Sequence, residues 1–289
     1  AAWVTWDIFL VRYLYGEEGK KIPWWAQIRA ALIAYPFMAL LPAGRAGAET
    51  ARAAALSRYV GGGKAAAAAA QSQAIGLIGN GLVSIPCLIT FALVIGLATS
   101  WWLTAGLLAN LFGGLIGGFG ILMALKGFKL GGRLGKLFKK LADHGEDFDR
   151  HATETHHIPV TPIIYSFAGR LTQSVQYFFY VVAVGGIVAV ENGFLAQGVH
   201  LIGAMVGDLI PNNVGAVDGA FKFATAHVYE PFGFASAAAA GAAILTIAML
   251  NRMAQFFWAI VGALVPLFWH LPPIEDDPHA RIHRISQKP

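Results

Sequence analysis

Two apolar runs in this chain are each too short to cross a bilayer and each end at a proline, which narrows the possible folds more than any other feature. The first starts at Ala26 and stops at Leu41-Pro42-Ala43-Gly44-Arg45-Ala46-Gly47-Ala48-Glu49. The second starts at Phe194 and stops at Ile210-Pro211-Asn212-Asn213-Val214-Gly215-Ala216-Val217-Asp218. In both, turn residues and a glycine follow the proline, and a carboxylate stands seven positions after it. Backbone that leaves a helix inside hydrocarbon has unpaired N–H and C=O groups, tolerated only where protein or a water-filled cavity covers them. The two stretches therefore read as hairpin tips that meet near the middle of a membrane. Outside the tips, Tyr59 with Tyr229 and Asn80 with Asn251 keep nearly the same offset. A repeat longer than about 150 residues points to a two-fold membrane architecture and away from a short-period solenoid.

Composition supports the membrane reading. Of 289 residues, 56% are hydrophobic and only 13% charged, with a mean hydropathy of +0.57, which is too apolar for a soluble domain. Several stretches exceed the roughly 20 residues that cross a hydrocarbon core as helix. Crossings are predicted from Ala65 to Thr99, kinked at Pro86, from Trp101 to Leu125, from Pro162 to Val190 and from Phe232 to Trp269. Gly113, Gly114, Gly117 and Gly118 place small residues four apart, the usual device for close helix packing in lipid. Trp3 to Tyr15, interrupted by Asp7 and Arg12, is too short to span and reads as the end of a helix that starts upstream or as an interfacial helix.

The expected fold is an all-α, polytopic integral membrane protein of two inverted halves, each with a re-entrant hairpin. Residues 1–125 form the N-terminal half, truncated at its start, and residues 126–160 a basic and histidine-rich cytoplasmic loop. Residues 161–270 form the C-terminal half and residues 271–289 a cytoplasmic tail. Three predicted crossings separate the hairpins, so the two enter from opposite faces. Lys20, Lys21, Arg58, Lys64, the loop's Lys126, Lys129, Arg133, Lys136, Lys139 and Lys140, and the tail's Arg281, Arg284 and Lys288 then share one side. The opposite loops, near Ser100, Glu191 to Gly193 and Glu230 to Gly233, carry no Lys or Arg, which makes the basic side cytoplasmic. The net charge of +5 comes from these loops without any nucleic-acid motif, so an anionic membrane surface accounts for it and nucleic acid is not an expected partner. Cys87 is the single cysteine, so no internal disulfide forms, and its apolar setting reads as packing.

Arg45, Glu49, Arg52, Arg170, Asp218, Lys222 and Arg252 fall inside the predicted membrane segments. A charge at the bilayer centre costs about 2.5–3.5 kcal/mol on insertion scales, so these groups must face inward. Local spacing pairs Glu49 with Arg45 or Arg52, and Asp218 with Lys222. Arg170 and Arg252 have no acidic neighbour at helical spacing, and a guanidinium suits bidentate phosphate binding. Both are expected to face the cavity between the hairpins; otherwise they pair across the fold with Asp208, Glu49 or Asp218. Together with Asn212 and Asn213 of the second tip, these charged residues make up the candidate substrate-binding set.

Catalytic chemistry has no comparable support. The acidic and histidine-rich stretch from Asp143 to His151, followed by Glu154, His156 and His157, lacks HExxH or any other defined metal spacing. No G-x-S-x-G, no cysteine and histidine arrangement and no phosphate-binding loop occurs. No catalytic residue, metal or cofactor is expected.

Pro42 to Glu49 with Arg52, and Pro211 to Asp218 with the later Asn251-Arg252, resemble the two motifs of the flippase-like transmembrane region of lysylphosphatidylglycerol synthases. The resemblance covers most of the chain and implies a multi-pass protein of a bacterial or archaeal cytoplasmic membrane that moves lipids or lipid-linked intermediates between leaflets. The second motif usually has Gly-Gly and Glu where this chain has Asn212-Asn213 and Asp218, and the aminoacyl-transferring soluble domain is absent, so aminoacylation of lipid is not expected. The expected function is that of a flippase for an anionic phospholipid or a polyprenyl-phosphate lipid, without covalent chemistry. The alternative is a structural or assembly subunit among partner membrane proteins. A third reading, an integral membrane enzyme working through the histidine-rich loop, requires a bound metal.

Overall fold

Alanine, leucine and glycine dominate the long runs, and in an apolar setting only a helix or closed barrel satisfies its own backbone. The computed structural model describes residues 2–127, 142–154 and 158–269, and no strand occurs among them. The order is α1 (Ala2–Leu14), α2 (Gly16–Lys21), α3 (Trp24–Leu40), α4 (Gly44–Val60), α5 (Gly62–Leu82), α6 (Ser84–Val94) and α7 (Trp101–Gly127). After these come α8 (Ala142–Glu154), α9 (Val160–Ala183), α10 (Glu191–Gly207), a 3₁₀ turn (Pro211–Asn213), α11 (Ala216–Val228) and α12 (Ala237–Phe268). The basic loop residues Lys129 to Lys140, then His156 and His157, and the tail from residue 271 lie outside the described residues.

Among the described residues, three stretches are long and apolar enough to cross a membrane: Gly62–Val94, Trp101–Gly127 and Ala237–Phe268. The first joins α5 and α6 through Val83, just ahead of Pro86, whose missing N–H weakens the helix there. The crossing expected from Pro162 to Val190 is different. Its helix, α9, ends at Ala183, and α9 is not among the three because Arg170, Gln173 and Gln176 dilute its apolar character. Residues 184–190 leave the helix through Gly185 at φ 90°, and the Ile187 N–H donates to the Phe232 carbonyl at 2.9 Å.

Two of the expected glycines let α7 lie directly on α5. A Cβ on Gly114 would stand 2.6 Å from the Leu77 oxygen, and one on Gly118 would stand 2.6 Å from the Ala74 oxygen, whereas Gly113 faces open space. Where backbones touch, no rotamer change makes room for a side chain. Gly114→Leu is therefore expected to lower stability by about 1–3 kcal/mol or more, and Gly113→Leu to leave it nearly unchanged. Thermal unfolding of the two variants in the same detergent checks this.

The same succession of elements occurs twice. A helix (α1, α9) precedes a two-helix hairpin (α3–α4, α10–α11), and a long apolar helix follows it (α5, α12). The first copy packs around Leu10, Tyr15, Ala30, Leu56 and Ile75. The second packs around Tyr177, Leu195, Phe221 and Ile244, and this core also takes in Phe91 of α6 and Leu107 of α7. The copies are joined where α1 meets α9, through Trp6 Nε1 donating to Thr172 Oγ1 at 3.1 Å, and where α12 crosses α3, with a Cβ on Gly262 placed 2.8 Å from Pro36 Cδ.

Two segments differ from their sequence readings. Of the two readings of Trp3 to Tyr15, the interfacial helix does not fit, because Leu10, Val11 and Tyr15 are buried in the first core. The acidic piece 142–154, expected as loop, is helix α8; Phe148 and Ala152 are four apart and pack on Ala67 and Leu125. Near the start of α5, Lys64 pairs with Glu18 at 3.0 Å, and Gly63 packs against Asp147 of α8.

Candidate functional site

The two tips are built by local backbone rules. Leu41 is extended, as a residue before proline must be, and Ala43 takes the left-handed conformation at φ 50°. Asn212 and Asn213 are both at φ 52°, and Gly215 is at φ 83°. Asparagine tolerates that region better than most residues, whereas alanine does not, so Ala43 holds its conformation only because its surroundings fix it. What fixes it is the second tip: the Ala43 N–H donates to the Asp208 carbonyl at 3.1 Å. The loop after α3 and the end of α10 thus meet backbone to backbone.

Around this junction lies a cavity of about 720 Å³. Its walls come from both copies: α1 supplies Asp7, α4 supplies Arg45, Glu49 and Arg52, and α5 supplies Gln73 and Asn80. Helix α9 adds Arg170, Gln173 and Gln176, α10 adds His200, Asp208 follows just past its end, and α12 adds Asn251 and Gln255. Asn80 and Asn251, matched by offset in the sequence, line the same space. Leu41, Leu209, Ile210, Val175 and Phe179 also line it and are exposed, so part of the cavity wall is apolar and reaches the surface.

The charged groups divide into a closed set and an open one. Arg52 is buried between Asp7, which it bonds directly, and Glu49 at 3.5 Å, and all three are under 10% exposed. Spacing anticipated Glu49 as a partner; Asp7, from a segment 45 residues away in sequence, was not anticipated. Arg45 and Arg170 make no ion pair among the described residues. Arg170 donates from Nη1 to Gln173 Oε1 at 3.1 Å. The Arg45 guanidinium lies over Gly76, where any Cβ would collide with it, and its Nε has no partner. Other buried polar atoms on the cavity wall also lack partners, namely Gln73 Oε1, His200 Nδ1 and Asn212 Nδ2. Polar atoms left in that state favour a ligand or water that satisfies them.

The structure brings six members of the candidate set together, Arg45, Glu49, Arg52, Arg170, Asn212 and Asn213, and leaves three outside. Asp218 does not pair with Lys222. It accepts from the Gly215 N–H at 2.9 Å, capping α11, and from Arg252 Nη2 at 2.6 Å. The expectation that Arg252 faces the cavity is thereby corrected: a carboxylate 34 residues away holds it elsewhere, which spacing along one helix does not reveal. Lys222 is exposed and does not line the cavity. The first turn of α4 opens onto the cavity, whereas that of α11 is capped by its own aspartate.

Sequence reasoning left Asp7, His200, Asp208 and the glutamines out of the candidate set. Polar residues inside otherwise apolar helices were the signal for them. Among the described residues no group of three His, Cys, Asp or Glu side chains is placed to hold a metal ion.

The model of the lysylphosphatidylglycerol synthase transmembrane region matches residues 1–262. The chain belongs to that family. Its members are membrane domains linked to lipid metabolism or transport, and the match takes in both tips and every wall of the cavity. No curated protein and no solved structure matches the chain. Within this family member, the first motif supplies the cavity's Arg45, Glu49 and Arg52, and the second supplies its Asn212 and Asn213.

Proposed function

We propose that this protein binds a phosphate-bearing lipid, an anionic phospholipid or a polyprenyl-phosphate lipid, in the cavity between the two tips and moves it between leaflets. The observation that carries this reading is that two arginines without an ion pair among the described residues line the same cavity as exposed apolar side chains. A guanidinium is suited to phosphate, and a desolvated site strengthens that contact. The exposed Leu209, Ile210 and Phe179 leave a path for acyl chains to stay in hydrocarbon while the headgroup sits inside. An aqueous solute would need no such side.

In this reading the hairpins are re-entrant and the two copies are inverted, so the cavity opens alternately to either leaflet as one copy rocks against the other. The basic side and the C-terminus face the cytoplasm of a bacterial or archaeal cell. Movement needs no covalent step, and the protein is not an enzyme.

The test is reconstitution into vesicles. Exchange of an acyl-labelled phosphatidylglycerol between leaflets should be faster than in protein-free vesicles of the same composition. Equal rates would refute movement of an anionic phospholipid. If equal rates came with co-purification of another membrane protein at fixed stoichiometry, the assembly-subunit alternative would take its place.

A further inference from the structure

The cavity presents one charge that a phosphate site does not need. Asp208 lines it alongside Arg45 and Arg170, lies within electrostatic reach of both, and makes no ion pair among the described residues. The other two carboxylates on the wall, Asp7 and Glu49, share ion pairs with Arg52, and Asp218 outside it pairs with Arg252. The Asp208 side chain is exposed at the mouth of the cavity, and its backbone is held in place. Its carbonyl accepts the Ala43 N–H, so its place is set by both tips together.

A purely anionic headgroup would be attracted by the two arginines and repelled by this carboxylate. A headgroup with a phosphate and a primary ammonium satisfies all three, because its phosphate neutralises the arginines and its N–H groups donate to the carboxylate. We infer that the cavity selects a zwitterionic phospholipid headgroup of the phosphoethanolamine type, with Arg45 and Arg170 on the phosphate and Asp208 on the amine. This rests on the reading above that the cavity binds a phosphate-bearing lipid, replaces the anionic classes named there with a zwitterionic one, and adds a specificity-determining residue.

The experiment compares three acyl-labelled lipids in phosphatidylcholine vesicles containing the full chain: phosphatidylethanolamine, its N-acetyl derivative and phosphatidylglycerol. N-acetylation removes the ammonium and keeps the phosphate. Wild type should exchange phosphatidylethanolamine about tenfold faster than either of the others, the worth of one charge-assisted contact. Asp208→Asn keeps the side-chain shape and should bring the three rates together by slowing phosphatidylethanolamine while phosphatidylglycerol keeps or gains speed. Should Asp208→Asn fail to fold, the wild-type comparison of phosphatidylethanolamine with its N-acetyl form decides alone. Equal wild-type rates, or a preference that survives Asp208→Asn, would overturn the amine assignment and leave the phosphate site standing. Movement of none of the three lipids would overturn both.

Discussion

Arg52→Ala is expected to destabilise the protein by about 3–5 kcal/mol, the usual cost of stripping one partner from a buried ion pair. Asp7 and Glu49 would be left buried and facing each other without their shared cation. The triad also ties α1 to α4, so its loss should free the N-terminal helix from the first core. Asp7→Ala should cost less, because Arg52 keeps Glu49. Thermal and denaturant unfolding of both variants in detergent, beside limited proteolysis near Leu14, measures the effect. An Arg52→Ala protein that melts with the parent would show that the triad contributes nothing to stability.

The second large effect is on activity. Arg170→Ala and Arg45→Ala should each slow leaflet exchange about ten- to a hundred-fold, the range of a charge-assisted contact to phosphate. Neither removes an ion pair among the described residues, so unfolding should stay close to the parent. Arg170→Lys keeps the charge but loses the planar fork, and should fall between parent and Arg170→Ala. Arg252→Ala provides the contrast. It breaks the contact to Asp218 at the start of α11, outside the cavity, and should lower stability modestly while leaving exchange in place. If Arg45→Ala and Arg170→Ala exchange lipid at the parent rate, the phosphate site is wrong.

The contrast between Arg170 and Arg252 marks how far the sequence could be read. Both sit in long helices without a carboxylate at helical spacing, and in the sequence they are equivalent. Periodicity reports what shares a face of one helix. It is silent on Asp218 reaching Arg252 from another element, and on Asp7 reaching Arg52. The same blindness hid α8, whose charged residues read as loop until Phe148 and Ala152 found Ala67 and Leu125.

Several features were determined by the sequence alone. Its apolar composition required helices, because lipid offers backbone amides no other partner. Pro42 and Pro211 marked breaks that the structure places just after α3 and α10, and there the Ala43 N–H meets the Asp208 carbonyl. Gly114 and Gly118 announced a backbone contact that only residues without side chains permit. Tertiary structure decided which of the buried charges are spent and which are open. Ion pairing depends on a few ångströms of distance between elements far apart in the chain, and folding sets that distance. It closed Arg52 between two carboxylates, gave Arg252 to Asp218, and left Arg45, Arg170 and Asp208 facing one cavity.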